Sequence, residues 1–259
     1  YSGRNRANGM GDALENYVKD AFADTFGITT ELDRMKVFNQ KFSWLGSQNN
    51  PPDIMIKGGD AIEVKKTQSS TTSLALNSSY PKADLSHTSP MITRECKNCE
   101  QWTTKDLIYC VGHTTDTDLK SLWMVYGNIY AAKIETYERI KGTMSSGIKT
   151  IPNVVFSETK ELGRVNRVDP LGITSLRIRG MWQIENPRKV FSYLHPQTSN
   201  SFELISIIPI DKYKSFSSDS IKKIESLISG SFTIQDTNVK DPNNPAKLIE
   251  VKLIKLLIK

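Results

Sequence analysis

Histidine and cysteine, the side chains on which much enzyme chemistry turns, occur only three times each in 259 residues. An odd and small cysteine count provides no disulfide framework and points to reduced thiols. His87, His113 and His195 are scattered without a nucleophile–base spacing, and no Gly-x-Ser-x-Gly elbow is present, which leaves serine-type acyl transfer without its machinery. No glycine-rich loop ends in Lys-Ser or Lys-Thr, so no nucleotide cofactor is implied. There is no apolar run long enough to span a bilayer and no signal-peptide pattern at Tyr1, so no membrane partner is expected. The missing initiator methionine points to a sequence that begins inside a longer chain, and a cytoplasmic protein is the simplest expectation. Internal repeats and long low-complexity linkers are lacking too.

What remains is an ordinary globular composition, 38% hydrophobic and 24% charged, in a chain long enough to bury a good core. Thirty-four basic residues against 28 acidic ones leave a net charge of +6. That excess suits a polyanionic partner without requiring one.

The chemistry concentrates in Pro51-Pro52-Asp53-Ile54-Met55-Ile56-Lys57-Gly58-Gly59-Asp60-Ala61-Ile62-Glu63-Val64-Lys65. Two apolar-rich runs flank a Gly-Gly-Asp turn, the pattern of a β-hairpin. Side chains alternate along a strand, which puts Glu63 and Lys65 on one face and Ile62 and Val64 on the other. A two-residue loop would turn Asp53 to the wrong face. A three-residue loop, Gly58-Gly59-Asp60, pairs Asp53 with Lys65 and gathers all three groups on one surface. Two carboxylates and an ammonium suit Mg²⁺ binding and phosphate chemistry, because oxygen ligands hold the metal and the lysine meets negative charge. The bland reading is an exposed hairpin whose charges face water, as antiparallel sheets commonly do.

Pro-Asp, a short spacer and Glu-x-Lys resemble the PD-(D/E)XK nuclease superfamily. The wider text, Asn8-Gly9-Met10-Gly11-Asp12-Ala13-Leu14-Glu15-Asn16-Tyr17 and Glu63-Val64-Lys65-Lys66-Thr67-Gln68-Ser69-Ser70, is similar to the NgoPII-type restriction endonucleases. The resemblance rests on the first half of the chain. It implies an α/β (α+β) fold with a mixed central sheet of the restriction-endonuclease-like kind, flanked by helices and followed by C-terminal elaborations. It also implies a homodimer that cuts double-stranded DNA at a short palindrome, GGCC being the site associated with that family. On this reading one elaborated domain holds a catalytic core over about residues 9–145, with DNA recognition and dimerisation elaborated over about 146–259. Asp53, Glu63 and the Val64 carbonyl would hold Mg²⁺, and Lys65 would serve the attacking water and the phosphate. Two other readings stay open: a structure-directed nuclease of the same superfamily, and a basic DNA-binding protein without enzymatic activity.

Further residues have paired readings. Asp12-x-x-Glu15 fits a helix capping box, whereas the superfamily often sets a glutamate on this helix beside the metal, making Glu15 an auxiliary ligand. Gln68, Ser69, Ser70 and Lys82 offer amides, hydroxyls and charge to DNA phosphates, or else form a plain polar loop. Arg177 and Arg179 alternate in a strand and project from one face, with Arg164 and Arg167 near in sequence. Arginine reads guanine bidentately, and phosphate contact or surface ion pairing is the competing role. Cys96-x2-Cys99 and Cys110-x2-His113 have the ligand types of a structural zinc site. Against that, positions three apart in a strand face oppositely, so Gly112 would have to bend the chain to bring His113 round.

The periodicity predicts a helix over about 10–26 ended by Gly27, with residues 1–8 as an arm or lead-in. It predicts strands near 35–45, 106–112 and 121–132, a polar loop at 47–50, and helices at 134–141 and 218–229. The apolar ending 248–258 is left open between a core strand, a helix and a dimer surface.

Overall fold

The run Leu107-Ile108-Tyr109-Cys110-Val111 is at most 4% exposed at every position, the mark of a strand covered on both faces. Around it the computed structural model builds one large sheet. Residues 2–46, 50–115, 118–196 and 199–259 are described, with side chains of the first helix from Asp12 onward; residues 47–49 of the expected polar loop lie outside them. The chain opens with helices α1 (Ser2–Ala23) and α2 (Glu31–Lys41) and strands β1 (Phe42–Trp44), β2 (Ile54–Ile56) and β3 (Ala61–Thr67). Strands β4 (Leu74–Asn77) and β5 (Asp84–Ser86) and the short helix α3 (Arg94–Asn98) lead into β6 (Thr104–Thr114) and β7 (Leu119–Tyr126). Then come a 3₁₀ turn (Gly127–Ile129), α4 (Ile134–Lys149), β8 (Gly163–Val165), β9 (Leu176–Ile178), β10 (Trp182–Ile184) and α5 (Pro187–Val190). Strand β11 (Phe202–Pro209), α6 (Ile210–Lys214), α7 (Ser218–Glu225), β12 (Phe232–Asp241) and β13 (Asn244–Ile258) complete the chain.

The sheet runs β1-β2-β3-β6-β7-β11-β13-β12, with β5 also beside β6. Strands β3 and β6 are parallel, as are β7 and β11, and the other pairs are antiparallel. This is the mixed central sheet flanked by helices that the resemblance implied. Strands β11, β13 and β12 extend the same sheet past residue 145, so the C-terminal third contributes to the core itself. The ending 248–258 is strand, with Val251 and Leu253 fully buried.

Several elements differ from expectation, each for a local reason. Helix α1 starts at Ser2, so residues 2–8 are helical, and it stops at Ala23 where Asp24 takes a left-handed φ of 58°, ahead of Gly27. Residues 35–41 are helix rather than strand. Thr30 caps α2, accepting from the Asp33 N–H at 3.2 Å and donating to its carboxylate at 2.6 Å, and only Phe42–Trp44 continue as strand. Strand β7 ends at Tyr126, where the 3₁₀ turn begins. Helix α4 runs to Lys149, whereas α7 is shorter than expected and ends at Glu225.

Gly112 lets α1 reach the sheet. A Cβ there would lie 2.6 Å from one Leu14 methyl and 2.8 Å from the other, so the glycine admits helix α1 rather than bending the strand. Leu14 and Val18 are buried in that contact. Gly112→Val is expected to push α1 outward and cost about 2 kcal/mol by overpacking. A urea midpoint equal to the wild type would contradict this packing role.

Candidate active site

The hairpin forms, with an odd-length loop, but shifted from the expected register. Ile54 pairs with Ile62 and Met55 with Ala61, and Ile56 N–H bonds to Asp60 O at 2.9 Å, so the loop is Lys57-Gly58-Gly59. Asp53 lies just before the paired residues of β2, alongside Ile62 to Val64 rather than opposite Lys65. A two-residue shift preserves parity, and Asp53, Glu63 and Lys65 still share a face.

Tertiary contacts select that loop. Gly58 adopts φ 66° and its N–H donates to Glu100 Oε2 at 2.8 Å, while Lys105 Nζ donates to Gly59 O at 2.5 Å. Asp60 is drawn out of the turn to accept from the Tyr126 hydroxyl at 2.8 Å and from Lys212 Nζ at 2.5 Å. Lys212 also holds Asp106 at 2.7 Å, tying α6 to the hairpin base.

Asp53 enters the hairpin from a braced segment. Its N–H donates to Ile62 O at 3.1 Å, and its Oδ2 accepts from the Val64 N–H at 2.6 Å. Trp44 Nε1 donates to Pro52 O at 3.1 Å. Gly46, at φ 82°, passes so close that a Cβ would meet Asp53 O at 2.6 Å. Only glycine leaves room for that approach.

The electrostatics of the face are strongly coupled. Burial and the neighbouring Glu63 charge push Asp53 up to about 7, against the pull of Lys65 and the Val64 N–H. Glu63 Oε1 lies 2.6 Å from Lys65 Nζ, whereas its Oε2 is buried and has no hydrogen-bond partner among the described residues. Burial works against the Lys65 ammonium, but Glu63, Asp53 and Glu15 outweigh it and hold its pKa above the ordinary lysine value. Two facing carboxylates, one with an unsatisfied buried oxygen, suit a hard divalent cation. Among the described residues no group of three or more His, Cys, Asp or Glu converges on one point.

Glu15 lies near this face. It is held by Lys19 at 2.6 Å, and its charge raises both Asp53 and Lys65. The capping-box reading fails, because α1 begins at Ser2 and Asp12 lies well inside it. Gln68, Ser69 and Ser70 follow the end of β3, where Thr67 Oγ1 donates to Ser69 O at 2.7 Å. Lys65, Lys66, Gln68, Ser69 and Thr72 line a groove at the end of β3. Lys82 is half-buried, and burial lowers its pKa while Glu63 opposes that fall.

Arg164 and Arg177 stand on a separate small sheet, β8 with β9, and Arg179 follows directly after β9. Arg177 and Arg179 do project together, both onto Glu161, at 2.7 and 2.5 Å, and they pull its carboxyl down to about 2. Arg164 pairs with Arg177 across β8 and β9 and donates from Nε to Asn166 at 2.9 Å. Arg167 stands apart at φ 53°, its stem against Gly172.

The zinc expectation is corrected. Cys110 is buried in β6, Cys96 lies against Met55 Sδ at 3.4 Å, and Cys99 turns its thiol to Cys96 O at 3.0 Å. His113 faces the Gln68 end of β3 and feels Arg188. Strand alternation separates Cys110 from His113, and Gly112 does not bend the chain to reunite them.

Sequence reading missed the Asp60–Lys212–Asp106 brace and a buried cluster in which Arg188 meets Glu203, with His195 Nε2 3.4 Å from the same carboxylate. Neither has local spacing that would reveal it. It also missed Tyr109, whose partner across the parallel pair is Glu63.

Comparison with known proteins gives a consistent result. The NgoPII restriction endonuclease family matches residues 1–240. A curated relative, the type II restriction enzyme NgoPII of Neisseria gonorrhoeae, is 49% identical over 252 residues, covering 96% of this chain and 90% of the relative. No solved structure gives a significant match.

Proposed function

This chain belongs to the NgoPII restriction endonuclease family, and we propose that it is a type II enzyme hydrolysing both strands of DNA at a short palindrome in a Mg²⁺-dependent reaction. GGCC, the site associated with the family, is the proposed target. The observation that carries the chemistry is the Asp53–Glu63 pair with its unpartnered buried oxygen and adjacent Lys65.

Asp53 and Glu63 would hold the cation, with the Val64 carbonyl as a further oxygen donor and Glu15 as an auxiliary carboxylate. When bound, the ion supplies a lowered pKa for the attacking water and draws charge from the phosphate. The Val64 N–H fixes the Asp53 carboxylate against rotation. Lys65 enters as an ammonium, directs a proton toward a phosphate oxygen, and offsets charge that grows as water attacks and the P–O bond breaks. Gln68, Ser69 and Ser70 line the path of the backbone beside Lys65, and Lys82 adds a cation. Arg164, Arg167, Arg177 and Arg179 offer guanidiniums to bases or phosphates, Glu161 holding two of them in parallel.

A two-fold symmetric site needs one such centre per strand, so we propose a homodimer on duplex DNA. Incubation with a sequenced plasmid and Mg²⁺, followed by mapping of ends, tests the whole reading. Discrete ends at one palindrome, from a complex that sediments as a dimer, are expected. Random ends would instead indicate a nonspecific or structure-directed nuclease, and an intact plasmid in both Mg²⁺ and Mn²⁺ would leave only DNA binding.

A further inference from the structure

A second lysine, Lys82, feels the charges of Glu63 and Lys65 from outside the hairpin, and its backbone is tied to the sheet. Tyr109 lies on β6 directly beside Glu63 of β3 in the parallel register, and register partners share a face. Its side chain is buried, and its hydroxyl grips the backbone of the segment before β5 twice. It accepts from the Lys82 N–H at 2.8 Å and donates to Lys82 O at 3.2 Å. No other residue between β4 and β5 receives such a pair of bonds from the sheet among the described residues. The grip fixes the Lys82 backbone beside the Glu63–Tyr109 pair that spans β3 and β6.

The Lys82 side chain is then held without a carboxylate partner among the described residues. Its Nζ donates to Ser79 Oγ and, at 3.3 Å, to Tyr80 O, and it lies 5.7 Å from the centre of the Tyr80 ring. Neutral oxygens and a ring face orient the ammonium, and the Glu63 carboxylate acts on it through space without a hydrogen bond. Lys65, by contrast, is committed to Glu63. A half-buried cation whose hydrogen-bond partners are all neutral, within the field of Glu63, matches the needs of a phosphate diester and its extra negative charge.

We propose that Lys82 is a second active-site lysine that binds a non-bridging oxygen of the scissile phosphate or its immediate neighbour, and that Tyr109 is the positioning residue that aims it. This rests on the metal-dependent nuclease reading of Asp53 and Glu63. The division of labour is that Lys65 serves the carboxylates and water, while Lys82 belongs to the DNA strand.

Single-turnover cleavage of a duplex carrying the mapped site, with binding measured across a salt series, tests the proposal. Lys82→Met keeps the apolar stem and removes the charge, and its rate at saturating enzyme is expected to fall about 100-fold. Its salt slope is expected to shrink by about one phosphate contact. Lys82→Arg should recover at least a tenth of the wild-type rate. Tyr109→Phe should lose about tenfold alone and add little to Lys82→Met, because both act through one ammonium. A Lys82→Met enzyme that melts like the wild type and cleaves within threefold of it overturns the proposal. So does an equal loss in Lys82→Met and Lys82→Arg, which marks a packing role. Asp53→Asn in parallel separates the two readings: its activity would sink the metal site itself, whereas an inactive Asp53→Asn beside a normal Lys82→Met sinks this inference alone.

Discussion

Asp53→Asn is expected to abolish cleavage and, in the metal-free protein, to make the fold more stable at pH 8. Both effects have one cause. Burial and the Glu63 charge raise Asp53 to about 7 in the folded state, against 3.8 for an ordinary aspartate. The folded protein therefore holds more protons than the unfolded chain between roughly pH 4 and pH 7. Stability falls as pH rises through that window, and the full cost is present above it. A tenfold change in proton affinity corresponds to about 1.4 kcal/mol. Because the titration is shared with Glu63, the gain on removing the charge is on the order of 2 kcal/mol. Asparagine keeps an oxygen for the Val64 N–H and drops the charge. Calorimetry in EDTA should show a higher Tm for the variant at pH 8 and almost none of that gain at pH 4. Equal melting of the two proteins at pH 8 would show that the carboxylate pair carries no such repulsion. The pairing of gain and loss is the usual signature of strain kept for function.

Lys65→Met has the second large effect, and it is kinetic. Its ammonium lies against Glu63 Oε1 and is the only cation within hydrogen-bonding distance of either carboxylate of the pair among the described residues. Removing a charged donor that faces developing negative charge costs about 3–4 kcal/mol in the transition state, roughly a factor of 10²–10³ in rate. Affinity for the DNA site should change far less, since the other residues proposed to meet phosphates are untouched. Rapid-quench cleavage compared with equilibrium binding measures the two separately. Loss of binding in proportion to rate would instead make Lys65 a general DNA anchor.

The second lysine changes how the site is assembled. Asp53, Glu63 and Lys65 come from thirteen consecutive residues, while Lys82 is brought within the field of Glu63 and Lys65 from outside the hairpin, its backbone bonded by Tyr109 of β6. The same sheet explains the hairpin loop. Glu100, Lys105, Tyr126 and Lys212 hold Gly58, Gly59 and Asp60, so distant elements select which three residues turn. Local turn preference allowed either neighbouring loop.

Residue order alone settles the face on which Asp53, Glu63 and Lys65 meet, because alternation along a strand is a covalent property and any odd loop preserves it. It also settles the kind of sheet, through buried apolar runs such as 107–111, and the alternation that places Arg177 and Arg179 together. Residues 35–41 read wrongly as strand, since capping by Thr30 outweighs a weak strand pattern there, and local spacing leaves Asp12 equally able to cap a helix or lie within one. Which residues lie alongside Asp53, which cysteines stay apart, and which lysine comes within the field of Glu63 from outside the hairpin all wait for the assembled sheet. Those outcomes depend on pairings between residues tens of positions apart, such as Glu63 with Tyr109 and Asp60 with Lys212, whose energies do not exist until the chain has closed on itself.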